Sequence, residues 1–85
     1  MFMNPNGRPC QLQKAILEKN KGEIEQHYRI KYVDATNPSD RPLFYQFGVR
    51  GMPAIILLNR SGRIHHRFPL GIMDRKQLLQ VINQP

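Results

Sequence analysis

The chain holds one cysteine, Cys10, in the stretch NPNGRPCQLQ (Asn4 to Gln13), directly after a proline and at the start of an apolar-periodic run. A lone thiol cannot close an internal disulfide, so Cys10 is either a small buried hydrophobe or a reactive thiol. The positive end of a helix and the cation of Arg8, two residues upstream, would favour the thiolate, whereas burial would disfavour it. Both outcomes stay open on the residues alone.

The other chemical side chains form no constellation. His65 and His66 are adjacent on a predicted strand, so they point to opposite faces and cannot grip one metal, and His27 is remote in sequence. With one Cys and no ligand spacing, neither a metal nor a cofactor is expected. Ser39 and Ser61 sit in turn-like contexts that explain them as caps or turn residues, and Asp34 ends a strand.

The elements that would position Cys10 follow from periodicity. Leu12, Ala15 and Ile16 recur at i, i+3, i+4, which predicts a helix from Pro9 to Asn20 with proline in its first turn. Ile24 and Tyr28 can carry the stripe into a second helical piece after NKG. RIKYV alternates with the period of a half-buried strand and runs into the loop DATNPSD. Asn37 or Ser39 can cap a short helix carrying Leu43, Phe44 and Phe47, stopped by Gly48. AIILLN predicts a strand buried on both faces, RSGR a tight turn with Gly62 at positive φ, and IHHRF the returning arm of a hairpin. A last helix from Met73 to Asn83 packs Leu78, Leu79 and Ile82, with Asp74 complementing its dipole. The predicted class is α/β with a mixed sheet of Arg29 to Asp34, Ala54 to Asn59, Arg63 to Phe68 and a poorly formed Met1 to Met3. Tyr28, Tyr32, Phe44, Phe47 and Phe68 are spaced for the core, joined by Phe2 if the first strand forms.

Eighty-five residues predict a single domain, 1–85, with a thin margin of stability. Basic residues outnumber acidic ones by 13 to 6, and most of the excess lies after Pro42, where six bases face one acid. The bases are scattered singly without aromatic interleaving, a solvated basic face rather than a nucleic-acid surface. The longest apolar run, PAIILL, is far short of the roughly 20 residues a membrane span needs, and no signal peptide is recognisable. The free thiol fits a reducing cytoplasm.

The element order, with Cys just inside the first long helix, resembles the thioredoxin fold. NPSDRPLFYQFGVRGMPAIILLNRSGRI resembles the thioredoxin segment of short helix, G-[IV]-x-G-x-P, buried strand and Gly turn. FMNPNGRPC and GRIHHRFPLGIMDRKQLLQVI are similar to the start and end of periplasmic disulfide-isomerase domains. Together these cover nearly the whole chain. The resemblance implies a cis Met52–Pro53 bond beside the start of the Cys helix, and a backbone at Met52 that pairs with an extended substrate segment.

The active-site motif departs from that family. Its Cys-x-x-Cys corresponds here to Gly7-Arg8-Pro9-Cys10, so the nucleophile is missing and only the resolving position keeps its thiol. A two-electron dithiol cycle is therefore not possible within one chain. What remains is a monothiol forming mixed disulfides with glutathione or a client, or a redox-inactive module that binds polypeptide or docks a partner through Met52 and Pro53, or a mere scaffold. Arg8, if it faces the groove, would attract acidic clients or glutathione carboxylates. A Cys10–Cys10 dimer is a further expectation to test.

The resemblance also makes the strand before the Cys loop central, yet only Met1, Phe2 and Met3 precede it, roughly 10 Å of chain. Either the natural chain starts upstream, in which case a signal peptide and a periplasmic location become possible, or the sheet is weak at its centre.

Overall fold

The computed structural model describes residues 1–84 and shows a small α/β protein. Strand β1 (Phe2–Met3) leads through a turn into α1 (Arg8–Lys19), which begins with Pro9 in its first turn and a Gly7 cap that offers no side chain. Lys19 sits in the last turn of α1, where a cation suits the negative end of the dipole. The helix is closed by Asn20, whose side-chain amide donates to the Ile16 carbonyl (2.8 Å). A single turn, α2 (Lys21–Ile24), then buries Ile24.

After β2 (Val33–Asp34), Asn37 caps a 3-10 turn at Pro38–Asp40 by accepting from the Ser39 N–H (3.0 Å), and α3 (Arg41–Gln46) follows. Gly48 stops α3 at φ 63°, a conformation that a side chain disfavours. β3 (Ile56–Leu58) and β4 (Ile64–Arg67) form a hairpin around Gly62 at φ 82°. α4 (Arg75–Ile82) starts two residues later than its apolar pattern suggests, because Asp74 is its cap: Asp74 accepts from the Gln77 N–H (2.8 Å) and Gln77 reciprocates (2.9 Å).

The strands do not form the one mixed sheet that periodicity predicts. β1 pairs parallel with β2, Phe2 opposite Val33, and β3 pairs antiparallel with β4, giving two two-stranded sheets. A lone antiparallel bridge between Phe2 and Ala54 joins them, with N–H···O bonds of 2.8 and 3.1 Å. The lateral order is therefore β2, β1, then Ala54 on the way into β3, then β4. Residues 29–32 lie outside the paired strands, with only the Lys31 carbonyl held by β1's neighbour, the Met1 amino group (2.7 Å).

One apolar cluster gathers Leu17, Ile24, Ile55, Leu57, Phe68 and Leu78 with their neighbours, while Phe2, Val33 and Ala54 form a second under α3. Phe2 meets Phe44 edge-on at 5.0 Å, a favoured aromatic geometry. Leu78 is fully buried, worth about 1.5–3 kcal/mol in transfer alone. The buried face of α1 is Cys10, Gln13 and Leu17. Leu12 is 47% exposed and Ala15 also faces solvent, so the predicted stripe is displaced around the helix. Phe68 is buried as expected, whereas Tyr28, Tyr32, Phe44 and Phe47 are half-buried at the edges of the clusters.

Candidate functional site

The loop Pro5–Gly7 and the first turn of α1 build the environment of Cys10. The Gly7 N–H donates to the Asn4 carbonyl (2.9 Å), and the Asn4 side chain accepts from the Asn6 N–H (2.9 Å), so the turn is fixed by one asparagine. The Asn4 N–H points back to the Cys10 sulfur at 3.4 Å. Gln11 closes the outside by donating to the Pro5 carbonyl (3.0 Å). Cys10 is 3% exposed.

Gly7 is half-buried and has the extended backbone φ −85°, ψ 129°, which any residue can adopt. A Cβ added there would lie 3.8 Å from the Cys10 sulfur and 3.4 Å from the Asn4 carbonyl oxygen. The position is thus within reach of the thiol and holds no side chain to use it. Arg8 and Pro9, on the first turn of α1, are exposed.

Met52–Pro53 is cis, Met52 is 38% exposed and Pro53 is buried. The Phe2–Ala54 bridge sets the residue that follows the Met52–Pro53 turn beside β1, two residues before Asn4. Among the described residues, no hydrogen bond engages the Met52 N–H or carbonyl. Two positions away, the Arg50 side chain is exposed.

Two residues important to the site escape the apolar pattern. Asn4 matters through its backbone contact to sulfur, which no side-chain motif reveals. Gln13 is fully buried, its amide nitrogen donating to the Met73 carbonyl (3.0 Å) and its oxygen accepting from the Met73 N–H (2.6 Å). It ties α1, and so Cys10, to the segment before α4. The available signal was its spacing, three residues after Cys10 and four before Leu17.

Elsewhere, His65 is exposed and His66 meets Phe68 edge-on at 4.7 Å. Among the described residues, no three His, Cys, Asp or Glu side chains gather where they could hold a metal ion. Nor, among them, is any helix long and apolar enough to cross a membrane.

Two groups titrate away from their ordinary values. The Met1 ammonium donates to the Lys31 carbonyl (2.7 Å), and burial, with Lys31 repulsion second, lowers its pKa to about 6. The Tyr32 hydroxyl is raised above its usual range, first by burial and then by donating to Glu18 (3.0 Å).

No family model, curated protein or solved structure matches the chain.

Proposed function

We propose that this chain is a thioredoxin-like domain that has lost dithiol chemistry and binds extended polypeptide along Met52–Pro53. The observation that carries the reading is the Cys10 environment: a residue 3% exposed, its sulfur contacted by the Asn4 N–H, beside a Gly7 position that supplies no second thiol. A buried thiol without a partner is a poor nucleophile, because attack needs an accessible thiolate. The order β2, β1, β3, β4, with β1 parallel to β2 and bridged antiparallel to the β3 segment, supports the fold assignment.

Peptide binding is supported by backbone. The N–H and carbonyl of half-exposed Met52, without partners among the described residues, form a short edge, and an extended peptide adding there makes main-chain bonds that demand little sequence. Arg50, exposed two residues before Met52, favours acidic clients.

Titrating the isotope-labelled protein with an unstructured acidic peptide, followed by amide NMR, tests this. The reading expects the Met52 and Gly51 amides to shift together with Asn4, with little change at β4. Shifts confined to other surfaces, or none at millimolar peptide, would contradict it.

A further inference from the structure

A groove of about 440 Å³ opens between residues 48–51, which lead directly into Met52, and residues 67–70 at the end of β4. Both walls are internal segments of the chain, and no residue before Gly48 lines it. Leu70, 66% exposed, folds against Gly51, where an added Cβ would lie 2.9 Å from one of its methyl carbons. The glycine is what lets the two walls meet.

Each wall carries an arginine. Arg50 stands exposed on one. Arg67, exposed on the other, is held by donating to the Phe47 carbonyl (2.6 Å), which occupies one of its five N–H groups. The others have no partner among the described residues. A guanidinium anchored at one corner presents the rest of its planar fork in a set direction, and that fork matches a carboxylate.

The chain supplies no carboxylate to meet it. Residues 41–73 contain five arginines and two histidines and neither Asp nor Glu. All six carboxylates of the sequence are engaged elsewhere. Glu18 accepts from the Tyr32 hydroxyl (3.0 Å), Glu23 pairs with Arg75 (2.6 Å) and Glu25 accepts from the Ile30 N–H (3.2 Å). Asp34 accepts from the Thr36 N–H (2.8 Å), Asp40 from the Asp34 N–H (2.9 Å) and Asp74 from the Gln77 N–H (2.8 Å). Among the described residues, the Arg75–Glu23 pair is the only salt bridge. The counter-charge for Arg50 and Arg67 therefore has to come with whatever binds beside them.

We propose that this groove is the specificity subsite of the Met52 edge, receiving an Asp or Glu side chain of the bound extended peptide, with Arg67 as its main partner and Arg50 as the second cation. Arg50 lies two residues from Met52, about 7 Å of extended chain, so the acidic residue stands within about two positions of the one paired with Met52. The inference rests on peptide binding along Met52–Pro53 and adds a requirement that the edge alone does not impose, because main-chain pairing is indifferent to side-chain charge.

The test compares acetyl-Thr-Val-Thr-Glu-Thr-Val-Thr-amide with its Glu→Gln counterpart on the isotope-labelled whole chain, reading the Met52 amide and the Arg67 side-chain Nε–H. The Glu peptide is expected to move both signals. The Gln peptide is expected to move Met52 alone and to bind about three- to tenfold more weakly at low salt, a gap that closes as salt is added. Arg67→Gln should lower the Glu peptide to the affinity of the Gln peptide and leave the latter unchanged, and Arg50→Gln should act in the same direction. Equal affinities with Met52 moving in both overturn the acidic subsite and leave the peptide edge standing. Arg67 moving while Met52 stays still overturns the edge, and with it the claim that edge and groove share one peptide. No movement of either at millimolar peptide overturns both. Acetate alone matching the Glu peptide, or an Arg67 signal that moves with protein concentration in the absence of peptide, overturns the proposal by making a free anion or a second copy of the chain the occupant.

Discussion

Gly7 and Cys10 face each other across the first turn of α1, the sulfur 3.8 Å from the place where a Gly7 Cβ would stand. The backbone at Gly7 has ordinary extended angles, so the missing atoms of a second thiol are the only thing that separates this turn from a dithiol.

Gly7→Cys is accordingly expected to form a disulfide with Cys10 under oxidised glutathione, the two thiols losing two protons and two electrons to it. Closing so small a loop should stabilise the chain by about 2 kcal/mol in the chain-entropy picture. Mass spectrometry reads the loss of two hydrogens, and unfolding with and without reductant reads the stability. A variant that stays a dithiol under oxidised glutathione would contradict the geometry at Gly7.

Gln13 predicts the stability effect most clearly. Gln13→Leu keeps the volume but strips both Met73 backbone groups of their partner in a buried setting. The expected loss is about 2–4 kcal/mol in urea unfolding, above that of Leu12→Ala on the exposed face of the same helix. A loss under 1 kcal/mol would mean that water replaces the glutamine.

The amino group of Met1 predicts a pH dependence. Its folded pKa, about 6, lies below the ordinary value of 8.0, so the unfolded chain binds more protons between the two. Stability should therefore rise as pH increases from about 6 to about 8, by about 1–3 kcal/mol, and level off above. Acetylating Met1 removes the charge and should flatten this rise, and a rise that persists after acetylation would contradict the assignment to the amino group.

The turns were legible because their chemistry is local: the Asn37 cap and Gly48 and Gly62 at positive φ stand where the sequence places them. The cis Met52–Pro53 bond had no such local signal and was expected from the resemblance alone. The buried face of α1 was not legible, because its central member is a polar Gln13 whose partner lies 60 residues away. The strand expected from Arg29 was shortened to Val33–Asp34 for a related reason: pairing depends on a neighbour, and β1 reaches only Phe2–Met3. The isolation of Cys10 was open in the sequence and required the Asn4 backbone to be placed.

The central claim, that Cys10 is a buried, silent thiol, is tested most directly by the rate of Cys10 alkylation against pH in native and unfolded protein. The account predicts labelling at least about 100-fold slower in the native state across pH 6–9, with the unfolded chain titrating near the free thiol value of about 8.5. Fast native labelling with an apparent pKa well below that value would contradict it and make Cys10 an activated monothiol.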